Sequence, residues 1–160
     1  MSDTVERVTP GTASWEEYGA EHMQRYTFFE NYYKDKAVID AACGTGYGTF
    51  FIAEHGAKKA IGIDVHEEAI AFSKGNYKRK NLEYRIHDCE KIGEIKDECN
   101  LVVSFETIEH LKDPSAFVKN VASTLGRNGI FICSTPNKQR LSGSGHHNPF
   151  HPSELDWDEF

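Results

Sequence analysis

The segment from Val38 to Gly48 constrains the fold of this chain more than any other, because an apolar run there breaks into three glycines at alternate positions. The apolar residues before the break predict a buried strand. Glycines directly after a strand predict a tight turn that lets bare main chain approach a ligand, since a Cβ atom would forbid the required backbone angles. The residues after the turn predict a helix whose N-terminal N–H groups point at that ligand.

A second apolar segment, Ala60–Asp64, ends in a carboxylate 20 residues after Gly44. At this distance, an acid at the end of the second strand can accept hydrogen bonds from a ribose diol. The glycine pattern is G-x-G-x-G, and Thr49 stands where a dinucleotide fingerprint has its third glycine. The pattern therefore disfavours NAD, and the absence of a following Gly-Lys-Ser/Thr disfavours a P-loop. The sequence predicts a ligand that carries a ribose and need not carry a pyrophosphate.

Three further blocks follow in order: His87–Cys89, Leu101–Leu111 and Leu125–Asn137. With these blocks the chain resembles the class I S-adenosylmethionine-dependent methyltransferases over nearly its whole length. The resemblance implies an α/β fold of the Rossmann-like, doubly wound type, with a mainly parallel sheet of five strands in the order 3-2-1-4-5. The family usually adds two C-terminal strands, the sixth and seventh, and these do not fit within the chain.

The length indicates one domain. Residues 1–13 are predicted to form a mobile tail, and residues 14–160 to form the methyltransferase domain. Ser14 and Glu17 make a capping-box pattern, which predicts a helix from Ser14 to about Tyr33. The segment from Gln139 to Asn148 is rich in Gly, Ser and His, and it is predicted to be a loop that is either mobile or held by a ligand.

The resemblance implies S-adenosylmethionine as the cofactor. Asp64 is expected to bind the ribose. Asp88 is expected to accept a hydrogen bond from the adenine amino group; alternatively, Asp88 only caps a turn. The first helix is expected to cover the cofactor and to offer Arg25 or Tyr26 to the methionine carboxylate; alternatively, Tyr26 packs on the sheet and Arg25 is solvated. The predicted cofactor-binding residues are Tyr26, Asp40, Ala42, Gly44, Gly46, Asp64, Val65, His66, Asp88, Cys89 and Phe105.

The segment after the fourth strand is where chemistry is expected, because ligands of open α/β sheets lie outside the carboxyl ends of the strands. Glu106, Glu109 and His110 are spaced i, i+3, i+4, so one helical turn would place them on one face. Together with His151, these three residues are a possible set of ligands for a divalent metal ion. The arrangement is similar to that of the small-RNA 2′-O-methyltransferases. The ubiquinone-pathway O-methyltransferases carry a similar Glu-x-x-Glu-His. The alternative is a structural role for Glu109 and His110. The predicted catalytic residues are His110, His151 and Glu106, and either histidine could act as general base.

Composition limits the partners. The net charge of −7 disfavours nucleic acid, and the only dense basic cluster is Lys78–Lys80. No membrane span or signal peptide is recognisable, and four widely spaced cysteines predict a cytoplasmic protein with reduced thiols. A second copy of the chain is a possible cover for the exposed edge of the fifth strand. Three functions stay open: methyl transfer to an oxygen atom of a small molecule, metal-assisted RNA 2′-O-methylation, and cofactor binding without catalysis.

Overall fold

Each apolar segment singled out in the sequence forms a strand of one parallel sheet. The structure is a computed structural model, which describes residues 7–137, 151–153, 155–156 and 158–160. The strands are β1 (Ala37–Ala41), β2 (Lys59–Asp64), β3 (Leu82–Ile86), β4 (Leu101–Phe105) and β5 (Ile130–Ser134). Their order is β3-β2-β1-β4-β5, and every neighbouring pair is parallel. This confirms the predicted fold class and strand order.

Helices lie on both faces of the sheet. They are α1 (Ala13–Phe28), α2 (Tyr47–Glu54), α3 (Glu67–Asn76) and α4 (Pro114–Thr124). The start of α4 follows from its sequence, because the Asp113 side chain accepts a hydrogen bond from the Ala116 N–H at 2.9 Å and Pro114 takes the first helical position.

The predicted bounds of the first helix are wrong. Thr12 is the N-cap residue, with extended backbone angles and no side-chain cap. Ser14 therefore falls inside the first turn, and its hydroxyl lies 2.8 Å from the Thr12 hydroxyl instead of capping the helix. The helix ends at Phe28, and a single 3₁₀ turn, Glu30–Tyr32, follows it.

Residues 7–12 of the predicted tail contact the domain. Thr9 is buried, at 7% exposure. The Thr12 hydroxyl donates a hydrogen bond to the Thr9 carbonyl at 2.6 Å, which closes a turn before α1. The first six residues, like the predicted loop from Gln139 to Asn148, lie outside the described residues. Mobility of the tail stays a prediction.

The core consists of apolar clusters on the two faces of the sheet. Successive residues of a strand point to opposite faces. Accordingly, Ile39 belongs to the cluster that contains Phe117 of α4, and Val38 belongs to the cluster that contains Ile52 of α2. Parallel pairing of β1 with β2 and β4 brings the carboxyl ends of these strands to the same edge of the sheet.

β3 and β5 are the edge strands of the described sheet. Cover of the β5 edge by a second copy of the chain stays a prediction. Among the described residues, every helix is too short or too polar to cross a membrane.

Candidate functional site

A cavity of about 490 Å³ opens at the edge of the sheet where β1, β2 and β4 end. Its volume is within the range of small-molecule sites, about 300–1,000 Å³. Most of the predicted site residues line it: Tyr26, Ala42, Gly44, Asp64, Val65, His66, Asp88, Cys89, Phe105, Glu106 and His110. Four predicted residues do not line it: Asp40, Gly46, Glu109 and His151.

The Asp64 carboxylate is held at the end of β2 by three hydrogen bonds. It accepts one from the Gly44 N–H at 2.9 Å, and two from His66, through the backbone N–H and Nδ1, each at 2.9 Å. The side chain is 8% exposed and faces the cavity. The 20-residue spacing seen in the sequence thus corresponds to a direct contact between the glycine turn and the second strand.

Gly44 leaves the space that a ligand needs. Its φ of +55° lies in the left-handed region, and a Cβ built there would meet no atom within 4 Å. The turn therefore presents bare main chain to the cavity beside the Asp64 carboxylate. A nucleoside with a free ribose diol fits this arrangement, because the carboxylate oxygens accept hydrogen bonds and the turn offers no side chain to exclude the sugar.

Asp40 and Gly46 lie behind the turn and do not line the cavity, and cofactor binding by them stays a prediction. Asp40 is 1% exposed, and its carboxylate accepts hydrogen bonds from the Thr49 hydroxyl at 2.7 Å and the Tyr26 hydroxyl at 3.3 Å. Burial raises the pKa of Asp40 to about 7, against the lowering effect of these two hydrogen bonds. Gly46 packs on Ser73, whose hydroxyl would lie 2.5 Å from a Cβ at this position.

One wall of the cavity belongs to α1. Tyr26 packs edge-on against Phe105, with the ring centroids 4.9 Å apart, and its hydroxyl donates a hydrogen bond to the Asp40 carboxylate. His22 also lines the cavity, and its Nδ1 lies 3.1 Å from the Tyr47 hydroxyl. Burial, assisted by the charge of Arg25, lowers the pKa of His22. Helix α1 therefore forms one wall of the cavity and also packs on the sheet, and its predicted role as a cover of the cofactor stays a prediction.

Arg25 forms an ion pair with Glu106, a residue that lines the cavity after β4. Its Nε lies 3.3 Å from Oε1 of Glu106, and the same carboxylate oxygen accepts a hydrogen bond from the Ser134 hydroxyl at 2.7 Å. Glu106 follows β4 with a φ of +52°, an angle that few residues other than glycine adopt. This ion pair joins α1 to the ends of β4 and β5, and Arg25 itself does not line the cavity.

Glu109, His110 and His151 lie together, and Glu106 does not belong to the group. One ligand atom from each of the three residues lies within 4.8 Å of the other two. The residues Ile108–His110 form a 3₁₀ turn, so the predicted α-helical face of Glu106, Glu109 and His110 does not form. Glu109 is 1% exposed and accepts a hydrogen bond from the Thr135 hydroxyl at 2.9 Å. Burial raises the pKa of Glu109.

His151 reaches this group through the segment that carries it. The Ser153 N–H donates to the Glu109 carbonyl at 3.0 Å, and the Ser153 hydroxyl donates to the Leu111 carbonyl at 2.8 Å. As a result, the His110 and His151 rings lie 4.8 Å apart, edge to face. Two imidazoles and a carboxylate are suitable ligands for a divalent transition-metal ion, and their proximity fits such an ion.

Several residues that line the cavity were not predicted from the sequence. Those without a predicted role are Arg7, Val8, His22, Cys43, Thr45, Tyr47, Glu90, Thr107 and Leu111. Most are neighbours of predicted residues, so the motif blocks contained a signal for them. Arg7 and Val8 precede the first helix, and no motif marks them.

Comparison with known proteins identifies the family. A family model described as a methyltransferase domain matches residues 33–154. A "probable S-adenosylmethionine-dependent methyltransferase" of Mycolicibacterium smegmatis is 32% identical over 154 residues, which are 95% of this chain and 59% of the relative. The ubiquinone biosynthesis O-methyltransferase of Coxiella burnetii is 30% identical over 107 residues, 66% of this chain and 45% of the relative. The chain thus spans about half the length of these relatives.

A solved structure shares the fold. Magnesium protoporphyrin IX methyltransferase from Synechocystis, crystallised with bound S-adenosylhomocysteine, superposes with a TM-score of 0.73 over 94% of this chain and 74% of its own. At 15% identity this likeness shows the fold alone.

Proposed function

This chain belongs to the class I S-adenosylmethionine-dependent methyltransferases, and we propose that it transfers the cofactor's methyl group to an oxygen atom of a small-molecule acceptor. The observation that carries the proposal is the Asp64 carboxylate, fixed 2.9 Å from the Gly44 N–H at the rim of the cavity. The 30% identical ubiquinone biosynthesis O-methyltransferase supports oxygen as the acceptor atom. The activity is a proposal for the whole protein, since this chain matches only part of its relatives.

We assign the ribose and the adenine of the cofactor to residues that line the cavity. Asp64 is proposed to bind the ribose diol, with His66 holding the carboxylate in place. Asp88 lines the cavity after β3, where its carboxylate is proposed to accept a hydrogen bond from the adenine amino group. Tyr26 and Phe105 then form the apolar wall toward the end of β4.

When bound, S-adenosylmethionine supplies a methyl group that its positively charged sulfur already activates. The chain's main task is therefore to hold the acceptor oxygen in line with the methyl group and to exclude water. Phe105 and Leu111 contribute apolar surface at the end of β4. His110 lines the same part of the cavity and is proposed to accept the hydroxyl proton of the acceptor.

A divalent-metal-assisted transfer is a second candidate, and the proximity of Glu109, His110 and His151 favours it. These three residues would hold the ion, which would lower the pKa of an acceptor hydroxyl. Glu106 is excluded from this set because it pairs with Arg25 and Ser134. An RNA acceptor has less support. The net charge is −7, and the basic cluster Lys78–Lys80 precedes β3, at the edge of the sheet opposite the cavity.

A screen for turnover tests these alternatives. The chain is incubated with S-adenosylmethionine and a panel of phenols, catechols and hydroxy acids, with and without EDTA, and release of S-adenosylhomocysteine is measured. Turnover that survives EDTA supports metal-free transfer. Turnover that EDTA abolishes, that added Mn²⁺ restores, and that Glu109→Gln removes supports the metal-assisted form. Tight binding of S-adenosylhomocysteine without turnover on any acceptor would favour a non-catalytic binding module.

A further inference from the structure

We infer that a second cavity, beside the start of β3, binds a small phosphate monoester whose organic part is flat and apolar. This cavity has a volume of about 370 Å³ and lies where the segment between α3 and β3 returns to the sheet. No described residue lines both this cavity and the one proposed for the cofactor. The second site is therefore independent of the proposed activity.

Positive charge is concentrated at the second cavity. Three of the residues that line it are cationic, Lys74, Lys78 and Arg79, although the net charge of the chain is −7. The only carboxylate among the described lining residues belongs to Glu83, and Arg85 neutralises it through hydrogen bonds of 2.6 and 2.9 Å. A dianion such as a phosphate monoester suits this excess of charge, because lysine binds phosphate as a point charge and arginine can bind two of its oxygens.

The end of a helix does not account for two of these cations. Lysine is stabilising in the last turn of a helix, which explains Lys74 of α3. Lys78 and Arg79, however, follow the helix, which ends at Asn76. Arg79 pairs with Glu54 at 2.7 Å, whereas Lys74 and Lys78 form no ion pair within the described part of the chain. The ammonium groups of both lysines can therefore bind an anion without displacing a described carboxylate.

The apolar side chains of the cavity are held in place. The Tyr77 ring lines the cavity and stacks on Phe50, with the ring centroids 5.0 Å apart and an interplanar angle of 25°. Tyr84 is 4% exposed, and its hydroxyl donates a hydrogen bond to the Gly46 carbonyl at 2.6 Å. Leu82 adds an aliphatic surface. A flat apolar group can pack on these side chains without reordering them, which lowers the cost of binding.

The cavity also offers a neutral hydrogen-bond donor. Among the described residues, the Tyr77 hydroxyl has no hydrogen-bond partner. Burial raises the pKa of Tyr77, so the hydroxyl stays protonated at neutral pH and can donate to a phosphate oxygen. The volume of the cavity is at the lower end of the range for small-molecule sites, about 300–1,000 Å³, which favours a compact ligand.

Calorimetric titration with 1-naphthyl phosphate tests the inference, with and without saturating S-adenosylhomocysteine to fill the cofactor cavity. We expect saturable binding in both conditions. Inorganic phosphate should bind at least about tenfold more weakly, because it lacks the ring that packs on Tyr77. Lys78→Gln should weaken the binding of 1-naphthyl phosphate about fivefold, the upper value for an exposed ion pair, and the double variant Lys74→Gln/Lys78→Gln should weaken it about twentyfold.

Lys80→Gln is the matched control, because Lys80 belongs to the same basic cluster and does not line the cavity. Its affinity for 1-naphthyl phosphate should equal that of the parent. All three lysines are exposed, so the substitutions should leave the fold intact, which circular dichroism checks.

Four outcomes would overturn the inference. The first is the absence of saturable binding of 1-naphthyl phosphate up to about 10 mM. The second is equal affinity for 1-naphthyl phosphate and inorganic phosphate. The third is an equal loss in Lys78→Gln and Lys80→Gln, which would indicate a diffuse basic surface instead of a site. The fourth is loss of binding when S-adenosylhomocysteine is added, which would place the probe in the cofactor cavity.

Discussion

Asp40 should make the stability of this protein depend on pH in a direction opposite to that of most aspartates. The residue is 1% exposed, and burial raises its pKa to about 7, whereas an aspartate in an unfolded chain has a pKa of about 3.9. The folded state therefore holds the proton more tightly than the unfolded state. Between these two pKa values the unfolded chain loses its proton first, so the free energy of unfolding falls as pH rises.

The magnitude follows from the separation of the two pKa values. Each pH unit between them removes about 1.4 kcal/mol, so that about 4 kcal/mol is lost between pH 4 and pH 7, and the loss stops above pH 7. Asp40→Asn removes the ionisation while its amide can still accept from the Thr49 hydroxyl. The variant should therefore gain about 2–3 kcal/mol relative to the parent between pH 5 and pH 7.

Urea unfolding at pH 5, 6, 7 and 8, followed by circular dichroism, measures this difference. All other titrating groups are common to the two proteins, so their contributions cancel in the comparison. Asp35→Asn, at an exposed position, is the matched control for the Asp-to-Asn substitution itself. A difference between Asp40→Asn and the parent that stays constant within about 0.5 kcal/mol across this range would show that Asp40 titrates normally and would refute the reasoning.

Two further changes test the glycine turn and its acid. Asp64→Asn should weaken S-adenosylhomocysteine binding about a hundredfold in a calorimetric titration, because two hydrogen bonds to a charged group contribute about 1.5 kcal/mol each; a change below about threefold would exclude the ribose role. Gly48→Ala should lower the free energy of unfolding by about 1–3 kcal/mol, since the new Cβ would lie 2.0 Å from the Tyr26 ring. Thermal unfolding of the variant and the parent measures this change. Gly75→Ala in α3, where a Cβ meets nothing within 4 Å, is the control and should show no loss of stability.

Local pattern was sufficient for the sheet and for the cofactor end of the site. The apolar segment Ala60–Asp64 predicts the second strand, which begins one residue earlier, at Lys59. Asp64 was identified from its distance to Gly44, and the two residues are hydrogen-bonded. Apolar runs that end in glycine or a carboxylate are informative because buried parallel strands need continuous apolar side chains, and because ligands lie beyond the carboxyl ends of these strands.

The arrangement of the proposed catalytic residues could not be predicted in this way. The spacing of Glu106, Glu109 and His110 suggests one helical face, but the positive φ of Glu106 and the 3₁₀ turn after it send Glu106 to Arg25 and leave the other two with His151. No sequence rule anticipates this division, because Arg25 and Ser134 are far from Glu106 in the chain. Their hydrogen bonds to it exist only once α1, β4 and β5 have packed together.

The sequence by itself determined the glycine turn and the carboxylate that accepts its N–H, since each depends on neighbouring residues or on a fixed spacing between two strands, and the strand order followed from the resemblance to the family. Only the tertiary structure decided that Asp40 is buried behind the turn, that Glu106 is separated from Glu109, and that Arg7 reaches the cavity. These three results depend on which side chains from distant segments compete for the same space and the same hydrogen bonds, and a linear pattern does not record that competition.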